Sequence, residues 1–476
     1  MTKPSESAAP GVPPLFVELC QVLRSRGVVV REETFQGPFD RAGGYCELRG
    51  DRLVLLDKRA RPAEQFRALL ECIEEIGLST LGLAGTDLSP ALLAQLNRRG
   101  HMPWPHSTEA PPLARGHLRQ DVSQNLAPYT TLGIGGPAAD FLVVHGRTSL
   151  AHQLARAQEL GLETRVLGGG SNLVVADEGV ASSVVLMRTR GIRFQAESGS
   201  VLAEVEAGES WDEFVRQTVE RGYRGLECLS GIPGTVGATP IQNVGAYGQE
   251  VAQTIESVTV MDPTDGSLTT LSNEACEFSY RSSIFKGKGS ALGIVVSVTF
   301  RLEEDPRPTI AFKELEAALS DIAEPTLADA RRAVVALRRK KSMVYDVSDP
   351  NHRSCGSFFT NPVLPAAAFE RLQRKHTTVP HFPLPDGTFK VPAAWLIEKS
   401  GLTRGTRLGP VGLSTAHTLA IVAHDGASAK DVVRFAHVVR RQVEETFDVR
   451  LRPEPEFWGF AELEDGLPVL PDGQEP

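Results

Sequence analysis

The chain has 476 residues, 41% of them hydrophobic and 23% charged, the make-up of an ordinary globular protein with room for about two to four cores. With 59 acidic against 50 basic residues the net charge is −9, so a nucleic-acid partner, which needs a basic surface, is not expected. No apolar run is long enough to cross a membrane and the N-terminus lacks the charged-then-apolar order of a secretion signal, so a membrane partner is not expected and a cytoplasmic protein is.

Residues 1–13 are rich in Ser, Pro and Ala and read as a disordered tail. Leu15, Phe16, Leu19, Val22 and Leu23 then recur at helical spacing. Residues 28–30, 45–48 and 53–56 suit strands, the last two turned by Gly50-Asp51. A second helix is predicted over residues 62–76, entered at Pro62 and closed by Gly77, and a third over 89–98. The order α-β-β-β-α-α makes residues 14–100 a small α+β unit. Glu71, Glu74 and Glu75 have no histidine partner at helical spacing and read as a solvated acidic face rather than metal ligands. Four prolines in residues 102–112, with Trp104 and His106, mark 101–119 as a semi-rigid linker. Neither His101 nor His106 is taken as a metal ligand.

Beyond the linker, short strands alternate with helices predicted at 150–160 and 210–222, the pattern of an α/β core. Two glycine clusters stand out in it. In Val166-Leu167-Gly168-Gly169-Gly170-Ser171-Asn172-Leu173-Val174-Val175, two strand-like runs flank a tight turn whose backbone N–H groups suit an anion, although the same letters also read as a plain hairpin. The cluster fits neither the Gly-x-Gly-x-x-Gly fingerprint nor the Walker lysine loop. Residues 231–250 hold five glycines and two prolines, with Gln242, Asn243 and Tyr247 as polar contacts. They read either as an irregular loop or as backbone wrapped around a planar ligand carrying phosphates. Arg338-Arg339-Lys340-Lys341 closes a helix-like stretch and reads as an anchor for an acidic small molecule or a solvated face. Cys20, Cys46, Cys72, Cys228, Cys276 and Cys355 form no Cys-x-x-Cys pair, so no metal is expected and free thiols in a reducing compartment are.

Six motifs in one order, spanning about residues 125–459, resemble the UDP-N-acetylenolpyruvoylglucosamine reductase (MurB) family. Thr130-Thr131-Leu132-Gly133-Ile134-Gly135-Gly136 is similar to its opening strand and turn, and the two glycine clusters to its flavin-diphosphate and flavin-enclosing loops. Phe278-Ser279-Tyr280-Arg281-Ser282-Ser283-Ile284-Phe285-Lys286, Gly356-Ser357-Phe358-Phe359-Thr360-Asn361-Pro362 and Leu451-Arg452-Pro453-Glu454-Pro455 resemble its arginine, serine and glutamate motifs. Asn361-Pro362 and Ala394-Trp395-Leu396-Ile397 resemble the longer of its two subtypes.

The resemblance implies an α+β and α/β multidomain protein. Its FAD-binding, PCMH-like core would have two subdomains, 120–189 with a returning strand at 457–463, then 190–342. A substrate-binding α+β domain would follow at 343–455, with 464–476 as an acidic tail. The extension 14–100 has no counterpart in the family. The implied reaction is FAD-dependent reduction of UDP-N-acetylglucosamine enolpyruvate to UDP-N-acetylmuramate by NADPH, in peptidoglycan precursor synthesis; a monomer is expected.

Residue by residue, the family's catalytic arginine, serine and glutamate fall on Arg281, Ser357 and Glu454. Alone, each reads as a surface ion-pair residue, a turn serine or an exposed charge. A guanidinium suits a planar carboxylate, Glu454 would need a proton to help hold an enol-like intermediate, and Ser357 would deliver a proton to carbon. FAD contacts are implied for Leu167, Gly168, Gly169, Gly170, Ser171, Asn172, Gly231, Pro233, Gly234, Gly237, Gln242, Asn243, Gly245 and Ala246. Substrate contacts are implied for Tyr247, Lys341, Asn361, Lys390 and His417. Phe312 and Phe382 stand where diphosphate-binding tyrosines are expected, with Lys313 or His381 as candidate replacements, and Cys355 reads as a small filler near Ser357. The rival readings are a flavin oxidoreductase with another substrate and a non-catalytic regulatory or assembly protein.

Overall fold

The computed structural model describes residues 14–33, 43–48, 51–60, 62–76, 124–286, 292–376 and 378–469. The predicted tail 1–13, the third helix at 89–98, the linker 101–119 and the end of the acidic tail lie outside them, as do the side chains of Cys46, Glu71, Glu74 and Glu75. The chain divides into two compact units, Met1–Leu118 and Arg119–Pro476.

In the first unit, helix α1 (Pro14–Ser25) leads to β1 (Val28–Glu33), β2 (Gly43–Leu48), β3 (Asp51–Asp57) and α2 (Pro62–Ile76). β3 is central, parallel to β1 with Val28 opposite Arg52 and antiparallel to β2 with Leu48 opposite Asp51. The helical spacing of Leu19 and Leu23 on α1 and of Leu69 and Ile73 on α2 buries all four against Val28, Val54 and Leu56 of the sheet. This small core belongs to the first unit alone.

The second unit opens with a 3-10 turn at Ala127–Tyr129, and β4 (Ala138–Val144) follows eight residues of turn and coil. The opening strand expected over 130–136 is therefore absent. Gly133 and Gly135 take positive φ, and a side chain on Gly136 would sit 2.2 Å from the Asp177 carbonyl oxygen, so this stretch wraps over the 177–179 turn instead of pairing. Helix α3 (Arg147–Glu159), β5 (Glu163–Leu167), β6 (Leu173–Val175) and β7 (Val180–Met187) complete the first lobe. Its sheet runs β4-β7-β5, all parallel. β5 pairs with β7 and not with β6, so the 168–172 turn joins separate sheets and is not a hairpin.

The second lobe is an antiparallel sheet built from β8 (Ile192–Glu197), β9 (Ser200–Glu206), β10 (Tyr223–Arg224), β13 (Ile255–Met261), β14 (Leu268–Ser272) and β15 (Ile294–Glu304) in the order β14-β13-β15-β9-β8, with β10 paired to β15. Between β10 and β13 lies a small hairpin of β11 (Gly245–Ala246) and β12 (Gln249–Glu250). Alternation along β9 buries Val201, Ala203 and Val205 under α4 (Trp211–Glu220). Trp211, Phe214 and Phe300 interlock there with ring centroids 5.2–6.0 Å apart. The same core takes in Val144 and Val185 of the first lobe, fixing one lobe against the other. Helices α5 (Lys313–Ala318) and α6 (Leu327–Lys340) close this lobe, α6 starting on a reciprocal Thr326–Asp329 cap.

The third lobe holds β16 (Val363–Leu364), α7 (Ala366–Lys375), β17 (Phe382–Pro383), β18 (Phe389–Lys390), α8 (Ala393–Lys399), β19 (Arg407–Leu408), β20 (Val411–Leu413), β21 (Ile421–Ala423) and the long α9 (Ala429–Phe447). Asp177, just past β6, accepts from the Ala429 and Lys430 amides at 2.8 and 3.1 Å and caps α9 from the first lobe. The chain then returns as β22 (Glu456–Trp458), parallel to β6. The return is shorter and earlier than 457–463: Leu463 and Glu464 turn back on Leu467 and Pro468. Among the described residues no helix is long and apolar enough to cross a membrane.

Candidate active site

The two glycine loops meet. Ser171 Oγ donates to the Pro233 carbonyl at 3.0 Å, and a Cβ on Gly169 would lie 2.7 Å from the Gly234 Cα. Gly169 is glycine because two backbones touch there. The left-handed conformation belongs to Gly170, at φ +59, where a Cβ would be 1.9 Å from the Tyr129 carbonyl oxygen. Among the described residues, the backbone N–H groups of 168–172 find no acceptor, so five consecutive donors are left for an anion. Arg188, unremarked in the sequence, closes the loop from behind by donating to the Gly168 carbonyl at 3.1 Å. Burial lowers its pKa to about 10, with Arg190 adding to the effect. The turn is thus flanked by buried positive charge.

The 231–250 loop divides its labour. Gly237 backs onto Ala207, where a Cβ would lie 2.5 Å from the alanine's own, so it serves packing. Asn243, 1% exposed, spends its side chain inside the protein: Oδ1 accepts from the Ala252 amide, and Nδ2 donates to Glu250 at 2.9 Å and to the Ser279 carbonyl at 3.1 Å. The Gly231 amide donates to Asp212 at 2.5 Å, tying the loop's start to α4. Gln242 points the other way, towards Glu454.

Arg281, Glu454 and Ser357 come together from three distant stretches of chain. Arg281 Nε lies 3.0 Å from Glu454 Oε1, but its N–H is not aimed at that oxygen, so the contact is an ion pair and the buried Nε keeps its hydrogen-bonding capacity. Its Nη2 donates to the Gly245 carbonyl at 2.9 Å, and Arg281 itself sits at φ +54, an uncommon conformation for a non-glycine residue. Gln242 Nε2 donates to Glu454 Oε1 at 3.3 Å, while Asn172 Nδ2 reaches both Gln242 Oε1 and the Glu454 carbonyl at 3.2 Å. Burial pushes the Glu454 carboxyl above the usual carboxylate range, outweighing the opposite pull of Arg281 and Lys286. Ser357 is half-buried, and the residue after it, Phe358, accepts the Glu454 amide at 2.9 Å while donating to the Leu419 carbonyl at 2.7 Å. A short backbone pairing therefore fixes serine and glutamate side by side. Cys355 is fully buried, its thiol pushed up to about 12, and fills space.

The remaining polar residues fall in two groups. Lys341 stands 5.7 Å from the centre of the Tyr247 ring and acts on His417, whose pKa desolvation lowers to about 4, leaving it neutral. Lys390 stands 4.5 Å from the Tyr280 ring beside Asn361, whose Oδ1 already accepts the Ala393 amide at 2.9 Å. Phe312 packs edge-on against Tyr247 and Phe382 lies 5.7 Å from Lys390, so each replaced tyrosine borders one group. His381 Nδ1 lies 2.9 Å from the Val379 carbonyl, and its ring is tilted against Phe369, 4.6 Å between centroids. Arg338, read from sequence as part of an anchor or a solvated face, is half-buried, with its Nε buried and unpartnered. A basic run carries no mark of which member turns inward.

Two family models match stretches of the second unit. The family model described as "FAD binding domain" matches residues 141–272, and that described as "UDP-N-acetylenolpyruvoylglucosamine reductase, C-terminal domain" matches 349–458. The reductase of Salinispora arenicola is 46% identical over 356 residues, 72% of this chain and 97% of the relative. That of Thermobifida fusca is 45% identical over 348 residues, 71% of this chain and 97% of the relative. A solved reductase from Thermus caldophilus is 30% identical, with a TM-score of 0.49 over 70% of this chain and 97% of that one. With nearly the whole length of such relatives matched at this identity, the chain belongs to the UDP-N-acetylenolpyruvoylglucosamine reductase family.

Proposed function

We propose that this protein reduces UDP-N-acetylglucosamine enolpyruvate to UDP-N-acetylmuramate with FAD as its resident cofactor and NADPH as reductant. The observation that carries the reading is the part-buried Arg281–Glu454 pair, linked through Gln242 and Asn172 to the turn with five unused N–H groups. That turn fits a diphosphate, and residues 168–172 with the 231–246 stretch would hold FAD there. Bound FAD supplies a hydride carrier between NADPH and the enolpyruvyl carbon.

This chain's residues handle the charge and the second proton. As hydride reaches one carbon, negative charge spreads into the substrate carboxylate, and fixed donors in a dry site stabilise it far better than water would. Arg281 offers a guanidinium with an unused Nε, and Glu454, whose pKa burial raises, offers an O–H in its acid form. Ser357, held beside Glu454 by the Phe358 pairing, delivers the proton to the other carbon. Lys341 and the neutral His417 would face the nucleotide sugar. The direct test is anaerobic reduction of the yellow protein with NADPH, followed by reoxidation with the enolpyruvyl substrate. A colourless protein would favour the non-catalytic reading, and reduction without substrate-driven reoxidation would favour another substrate.

The raised pKa of Glu454 sets a pH dependence. The rate of substrate reoxidation should be full below the folded pKa of Glu454 and fall as pH rises through it, because the donor proton is lost. In Glu454→Gln that falling limb should disappear from single-turnover profiles. A limb of opposite slope in the wild type would mean that the carboxylate, not the acid, is the working form. Glu454 also acts on stability with the same sign: the folded state keeps a proton that the unfolded state releases, so its contribution declines as pH climbs from the unfolded towards the folded pKa.

Because the first unit has its own core, removing residues 1–118 should leave a soluble, flavin-containing enzyme with turnover close to that of the whole chain. A truncated protein that is insoluble, colourless or strongly impaired in reoxidation would make the extension integral to catalysis.

A further inference from the structure

Glu314 begins the second residue of α5, two positions after Phe312, and its Oε2 lies 2.6 Å from Lys341 Nζ. Both side chains are part-exposed, Glu314 at 38% and Lys341 at 33%. Both act on the half-buried His417, and burial raises the pKa of Tyr247 to about 12, with Glu314 adding to it against the opposing charge of Arg338. Three cations thus border this corner, Arg338, Lys341 and Arg404, against two carboxylates. Glu398 is engaged elsewhere, accepting Thr418 Oγ1 at 3.2 Å and lying 3.8 Å from Arg404 Nε. Glu314 is the carboxylate that occupies Lys341.

We propose that Glu314 is a displaceable counter-ion, holding the Lys341 ammonium in the free enzyme and surrendering it to the diphosphate of the nucleotide sugar. The inference rests on the function proposed above. A part-exposed pair is screened by water and opens at little cost, whereas a buried one would resist displacement. The two ends of the exchange are unequal: a diphosphate brings more charge and more acceptor oxygens than one carboxylate, so it takes the lysine. The carboxylate left behind still repels the newcomer. Nucleotide affinity is therefore held below what Lys341 and Arg338 would give alone, which favours release of product. Phe312, lacking a hydroxyl, makes this corner depend on charge more than a tyrosine would.

The test uses the full-length, FAD-loaded protein and its Glu314→Gln variant, titrated with UDP and with uridine by calorimetry. UDP should bind the variant about two- to fivefold more tightly at low salt, with the gain shrinking as salt is added, and uridine should be unaffected. Tighter binding cannot arise from a damaged fold, and matching melting temperatures would check that the variant is intact. If wild type binds UDP and the variant binds it equally or less tightly, the counter-ion role is wrong while the function proposed above stands. If wild type does not bind UDP at all, that function falls and this inference with it.

Discussion

Ser357→Ala should leave NADPH reduction of the flavin intact and slow its reoxidation by the enolpyruvyl substrate by roughly two to four orders of magnitude. The hydroxyl is needed only where a proton meets carbon, and that happens in the second half-reaction alone. Its neighbourhood is rigid: Phe358 and Phe359 are buried to within 1% of full coverage, and the segment is pinned to Leu419 on one side and Glu454 on the other. Alanine removes one oxygen without disturbing that frame. Stopped-flow traces of the two half-reactions separate the effect cleanly. If both slowed equally, Ser357 would be supporting the fold and another group would be the proton donor.

The second large effect is expected from Gly169→Val, which should yield protein without flavin. A branched side chain at 169 would have to occupy the space of the Gly234 backbone, and neither loop has a flexible side chain that can give way. Forcing the loops apart also breaks the Ser171–Pro233 bond and distorts the row of free N–H donors. The readout is flavin absorbance per polypeptide after purification. A full complement of flavin would mean that the diphosphate lies elsewhere. Gly234→Val should also cost flavin, for a different reason: Gly234 sits at φ +131, where a branched residue is strained.

Local chemistry made much of this legible in the sequence. Proline at 62 and glycine at 77 bracket α2, and the apolar spacing of α1 and α4 names their buried faces. The motifs drew Arg281, Ser357 and Glu454 to attention, though only the fold brings Arg281 within 3.0 Å of Glu454. What stayed hidden depends on partners far along the chain. Thr130 to Leu132 have strand-like side chains, yet Gly136 must pass under the Asp177 carbonyl, and nothing nearby in sequence announces that. Asn243 and Gln242 are adjacent amides with identical sequence credentials; the positive φ of 45° at Asn243 turns one inward while the other faces Glu454. Arg188 looks like the ordinary charged end of an apolar strand, and its role appears only once Gly168 is seen above it.

The return of β22 to β6 has a consequence for biosynthesis. Asn172, beside the cofactor turn, holds the Glu454 carbonyl across 282 positions of chain, and the Glu456 amide donates to the Asn172 carbonyl two residues later. Until residues 454–458 are made and docked, β6 has an open edge and the turn has no Glu454 beside it. The lobes can collapse earlier on their own contacts, but Asn172 meets Glu454 only when β22 docks on β6, by a long-range step of the kind that closes slowly.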